Sequence, residues 1–137
     1  MIEFDSYKQE AGIPIYLQLV NYIKRYVASG NAADGEELPS RRWISARLGI
    51  NPNTVQKAFS LLELENIIVS KGGSGSVFTL PESKTKAIRE EMLKSDIKRT
   101  VEVMKSSGLS FEEAVSIIKE NWEAIEGKSS LRSCLFM

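Results

Sequence analysis

Asn53, Gln56, Lys57 and Ser60 lie within the stretch NPNTVQKAFS, residues 51–60. On a helix, with Asn53 at 0°, they fall at about −60° (Gln56), +40° (Lys57) and −20° (Ser60), a stripe about 100° wide. Val55, Ala58, Phe59 and Leu62 fall on the opposite side and can hold such a helix in a core. Charged side chains would make the polar stripe soluble, but a carboxamide does more. It carries a donor and an acceptor on one fork, matching adenine N6 and N7 in the DNA major groove, while Lys57 can donate to guanine or to a phosphate. The free amides at the start of the helix also suit a phosphate. The stripe therefore has the chemistry of base reading. Leu64, near +20° on the same wheel, is apolar on the polar side and has no account from spacing.

The flanking segments predict how that helix is held. Asn51 as cap, Pro52 at the first helical position and Thr54 are ordinary helix-start chemistry. Upstream, LPSRRWISARLG reads as a helix with Ser40 as N-cap, Ile44 and Leu48 on one face and Gly49 as the stop. Only about three residues separate the two helices, the spacing of a helix-turn-helix. An earlier helix starts at Pro14, with Tyr16, Val20, Ile23 and Val27 on one side and Gly30 at its end. After Glu65 come IIVS and SVFTL, two short β-type runs joined by KGGSG, which predict a β-hairpin with a glycine-rich tip. The expected fold class is mainly α with a small β-hairpin: a winged helix-turn-helix over residues 11–80.

A different unit is expected over residues 82–126. A charged helix of about 25 residues, roughly 37 Å long, is followed after Gly108 by the capping box Ser110–Glu113 and a final amphipathic helix. Ile97, Val101 and Met104 on the first helix and Phe111, Val115, Ile118 and Trp122 on the second form apolar stripes. An αα-hairpin cannot bury both stripes by itself, so the first domain or a second copy of the chain must cover them. Residues 127–137 have no periodicity and read as a tail.

Composition narrows the function classes. The chain has 137 residues, zero net charge, no histidine and one cysteine. Without histidine the commonest general base is missing. Cys134, in the tail, has no base beside it in sequence and cannot form an internal disulfide. One cysteine and no histidine rule out the usual zinc sites, and no cofactor is implied. KGGSGS lacks the spacing of a phosphate-binding P-loop and lies between two strands. No enzyme is expected. There is no membrane-length apolar run and no signal-peptide pattern, so a cytoplasmic protein is expected, with no membrane partner. Net charge does not argue for nucleic acid, but its distribution does. From Leu38 to Leu80, Arg41, Arg42, Arg47, Lys57 and Lys71 face only Glu63 and Glu65, whereas before residue 38 six acids face three bases.

The stretch LPSRRWISARLGINPNTVQKAFSLLELENIIVSKGGSGSVF resembles the DNA-binding domain of the GntR family of bacterial transcription regulators. L-P-S-x-R, L-G-[VI]-[SN], T-V-x-x-A and G-x-G-x-[FV] occur in order, and the resemblance covers about residues 11–80. The NPNTVQ wording and the short two-helix C-terminal unit look like the YtrA subfamily. The resemblance implies DNA contact by Arg42 at the start of the second helix, and Ser40 beside it is a further candidate. It implies the same for Asn51, Asn53, Thr54 and Gln56 in the turn and recognition helix, where Lys57 is a candidate by its own chemistry, and places Lys71 and Gly73 at a wing near the minor groove. It also implies a homodimer joined through the C-terminal helices, acting as a repressor on double-stranded DNA, often at transporter operons. Three positions depart from the family pattern. Pro52 stands where many members have arginine, which implies one contact fewer. Asn66 replaces the usual glycine before the hairpin, a residue that tolerates a left-handed conformation. The wing is less basic than the RRGKG type, which implies weaker wing binding.

The competing expectation is a winged helix used only for protein contacts, which zero net charge leaves open. A dedicated small-molecule effector is not expected, since two C-terminal helices offer little volume for a ligand pocket of about 300–1,000 Å³. A ligand between protomers near Trp122 is the alternative.

Overall fold

The computed structural model describes residues 1–73 and 75–126. Cys134 and the expected tail lie outside the described residues. The elements run α1 (Ile15–Ala28), β1 (Glu37–Leu38), α2 (Arg41–Leu48), α3 (Pro52–Leu64), β2 (Ile68–Lys71), β3 (Gly75–Phe78), α4 (Glu82–Ser106) and α5 (Phe111–Glu126). This is a mainly helical winged-helix fold.

The first compact unit spans Met1–Glu90, and a second begins at Glu91. The core of the first unit is built from the apolar sides predicted by spacing. Leu19, Val20, Ile23 and Val27 of α1 and Val55, Ala58, Phe59 and Leu62 of α3 are buried, with Ile44 of α2. Each junction has a local cause. Ser40 Oγ accepts the Trp43 amide at 3.1 Å, capping α2. Gly49 ends that helix at φ 65°, a left-handed conformation that costs glycine little. Ser45 then pins the turn, accepting the Ile50 amide at its carbonyl (3.1 Å) and donating its hydroxyl to the Ile50 carbonyl (2.6 Å). Asn51 Oδ1 accepts the Asn53 amide at 2.8 Å and so caps α3.

The sheet has three strands, where the sequence predicts two. β1 pairs antiparallel with β3, and β2 with β3 on its other edge, giving the order β1-β3-β2. β1 is only two residues long, too short to show an alternation of its own. Asn66 takes φ 59°, the left-handed conformation expected of it, between α3 and the hairpin.

The first unit also begins earlier and ends later than residues 11–80. Ile2 and Phe4 are buried, and Phe4 stacks on Tyr22 of α1 with ring centroids 5.2 Å apart. Tyr22 donates its hydroxyl to the Glu3 carbonyl at 2.7 Å. At the other end, Ile88 of α4 is buried, Arg89 Nε donates to the Ala28 carbonyl at 2.7 Å, and Lys84 donates to the Glu65 carbonyl. The last two bonds satisfy carbonyls at the C-terminal ends of α1 and α3, which no intrahelical amide can reach.

In the second unit, Gly108 (φ 81°) turns the chain between α4 and α5. The capping box forms reciprocally: Glu113 N donates to Ser110 Oγ at 3.1 Å and Ser110 N to Glu113 Oε1 at 3.0 Å. No described side chain of α5 is buried. Phe111 is 78% exposed and Trp122 70%, with Ile97, Val101, Val115 and Ile118 also exposed and Met104 half-buried.

Candidate nucleic-acid interface

α3 presents Asn53, Gln56, Lys57 and Ser60 to solvent, and all four are exposed. Gln56 Nε2 donates to Ser60 Oγ at 3.1 Å, a bond along the helix face that aligns the amide and leaves its oxygen and second N–H available. No described group bonds the Asn53 side chain. The Asn51 oxygen is occupied by its cap, so only its amide N–H groups remain to donate outward. Thr54 is half-buried between the two sides. Neither α2 nor α3 carries an acidic residue in its first turn, so no acid of its own turn offsets the partial positive charge of either N-terminus.

The cations sort into two groups that sequence counting cannot separate. Arg41 Nη2 lies 3.3 Å from Glu63 Oε1, and Arg47 Nη2 lies 2.9 Å from Asp5 Oδ1. Glu65 is paired with Lys24 at 2.8 Å. Among the described residues, Arg42 and Lys71 are exposed and have no such partner. Lys57 Nζ sits 4.0 Å from the centroid of the Tyr16 ring, a contact that steadies the ammonium without neutralising it. Of the five cations between residues 38 and 80, three therefore remain uncompensated among the described residues: Arg42 on α2, Lys57 on α3 and Lys71 on β2.

Lys71 lies opposite Gly75 at the end of the wing ladder. A Cβ on Gly75 would meet the Lys71 carbonyl at 3.4 Å, and Gly73 takes φ 70°, so the glycines serve the tightness of the tip. Ser40 is half-buried with its oxygen engaged as N-cap, leaving only its hydroxyl proton to donate outward.

Residues 15–78 match the family described as "Bacterial regulatory proteins, gntR family". The HTH-type transcriptional repressor YtrA of Bacillus subtilis is 30% identical over 129 residues, covering 93% of this chain and 96% of that one. The chain belongs to the GntR family. A GntR family transcriptional regulator from Listeria monocytogenes superposes with a TM-score of 0.73 at 27% identity, covering 82% of this chain and 98% of that one. YtrA from Sulfolobus acidocaldarius, a GntR-family transcription factor, gives a TM-score of 0.50 at 28% identity, with 92% and 100% covered. These relatives place the chain with the YtrA-like GntR proteins, which are DNA-binding transcriptional regulators and not enzymes.

Several features of this GntR unit escape local sequence patterns. Tyr16, beneath Lys57, belongs to α1, and Asp5, which occupies Arg47, belongs to the N-terminal segment. That segment and α2 also line an open cleft of about 630 Å³, with Ile2, Phe4, Pro39, Trp43 and Arg47 among its walls. Leu64 is 77% exposed, and nothing in the structure explains its apolar character. No helix among the described residues is long and apolar enough to cross a membrane.

Proposed function

We propose that this GntR protein is a repressor that binds an inverted-repeat DNA operator as a homodimer. In this reading α3 enters the major groove, Asn53 and Gln56 read base edges, and Arg42, Lys57, Ser40, Asn51 and Thr54 hold backbone or neighbouring positions. The β2–β3 wing brings Lys71 and Gly73 toward the minor groove. The observation that carries it is the exposed amide face of α3, flanked by the uncompensated cations Arg42 on α2, Lys57 on α3 itself and Lys71 on the wing. Amides specify bases, while the cations fix register on the phosphates.

The exposed apolar side chains of α4 and α5 support dimerisation through the second unit, with Phe111 and Trp122 as its largest members. Two-fold symmetry of the protein then requires two-fold symmetry of the operator. No small-molecule effector is part of the proposal.

Gln56→Ala tests the base-reading role. Affinity for the preferred site should fall by about 1–3 kcal/mol, with preference relaxed at one base position per half-site. Fluorescence anisotropy on a panel of single-base variants measures this. A uniform loss across all sequences, or none, would remove Gln56 from the readers.

A further inference from the structure

The wing has a glycine-rich tip and a short ladder, so its distance from α3 must be fixed by contacts behind the tip. Three side chains from three elements meet there. Ser70 of β2 donates its hydroxyl to Glu63 Oε1 of α3 at 2.7 Å. Arg41 of α2 donates from Nη2 to the same carboxylate oxygen at 3.3 Å and to Ser70 Oγ at 3.2 Å. One oxygen of Glu63 thus accepts from both other elements.

Arg41 is itself anchored. Its guanidinium carbon lies 5.5 Å from the centroid of the buried Phe59 ring, and its Nε is buried with no hydrogen-bond partner among the described residues. A donor left buried without a partner costs stability. Arg41 also stands at the first position of α2, where a cation opposes the helix dipole and no acid of that turn offsets it. Glu63 supplies the compensation. The arrangement is costly for a residue that only decorates a surface, and it places a directed hydrogen bond one residue before Lys71.

We propose that Arg41, Glu63 and Ser70 form a clamp that sets the wing against the recognition helix and so delivers Lys71 to the phosphate backbone. They are positioning residues, acting through Lys71. The clamp rests on the DNA reading above for its purpose, but its mechanical part belongs to the free protein.

The test uses the full chain in two arms. In the first, amide hydrogen exchange of the free protein compares wild type with Ser70→Ala and Glu63→Gln. Exchange over residues 69–77 should accelerate several-fold, while the buried amides of α1 stay as in wild type. Unchanged wing exchange would overturn the clamp. In the second, affinity for mixed-sequence duplex DNA is measured against salt. Lys71→Ala should reduce the slope by about 0.9 per protomer, the counterions of one phosphate. Ser70→Ala should reproduce that loss, and Ser70→Thr, which keeps the hydroxyl, should retain the wild-type slope. Ser70→Ala combined with Lys71→Ala should lose no more than either alone, since both remove one contact. A full slope in Ser70→Ala, or losses that add, would overturn the inference. Wild type that binds no duplex at any salt would instead overturn the DNA reading, with the first arm still reporting on the clamp.

Discussion

Arg42 and Arg47 carry the same charge on the same eight-residue helix, yet they should behave oppositely toward DNA. Five positions apart at about 100° per residue, they point roughly 140° away from each other. Arg47 faces the N-terminal segment and pairs with Asp5 at 2.9 Å; Arg42 is exposed, with no described partner. With Lys57 and Lys71, Arg42 makes three uncompensated cations on the helix-turn-helix and wing, so at about −0.9 per phosphate the two protomers of the proposed dimer should give a log–log salt slope of roughly −5. Between 50 and 200 mM salt, affinity should then fall by roughly 2,000-fold. Arg42→Ala in both protomers takes about 1.8 from the slope and cuts that fall to roughly 150-fold. Arg47→Ala should leave the slope near the wild-type value. Anisotropy titrations of the three proteins on one duplex, at four or more salt concentrations, measure this directly. An equal loss of slope in Arg47→Ala and Arg42→Ala would refute the sorting of cations by their partners. So would a wild-type slope near −10, which requires more phosphate contacts than Arg42, Lys57 and Lys71 supply.

Three further outcomes follow from local geometry. Asn66→Ala should destabilise the protein by about 1 kcal/mol in urea unfolding, because φ 59° is a left-handed conformation that the short polar side chain of Asn tolerates better than alanine does, whereas Asn66→Gly, which removes the Cβ, should be neutral or stabilising. Phe4→Ala should cost about 3 kcal/mol in the same assay, since its ring is buried against Tyr22 and Trp43. The Glu113 carboxylate accepts the Ser110 backbone amide, and the Ser110 hydroxyl beside it also favours the charged acid, so the pKa lies below the usual carboxylate value. The support it gives α5 is therefore present above the unfolded pKa and lost as pH falls through the lowered folded one. A carboxyl NMR titration should show the low midpoint, with Ser110→Ala moving it part of the way up.

What the sequence made legible were features written within a few residues of one another. The caps at Ser40 and Asn51, the stop at Gly49, the box at Ser110 and Glu113 and the left-handed Asn66 all act locally, so the residue type alone implies the conformation. The buried side of α3 followed from spacing for the same reason. Strand β1 escaped because its two residues gain their structure from β3, some forty positions on. The burial of Ile2 and Phe4 depends on contacts with α1 and α2 that no local pattern announces. The candidate site was legible in its amides and in Arg42 and Lys71. Its electrostatics were not. Arg41 and Arg47 count as charges in the sequence, and they find partners 22 and 42 positions away. The excess positive charge survives this, carried by three side chains rather than spread over five.

The central claim is that the amide face of α3 reads DNA sequence within a two-fold dimer. In-vitro selection from random duplex DNA by the purified protein, at about physiological salt, tests it most directly. An inverted repeat should be enriched, with half-sites separated by one helical turn of about 10 base pairs or a multiple of it. No enrichment, at physiological or at low salt, would contradict it and leave the exposed amides of Asn53 and Gln56 as a surface for protein contact.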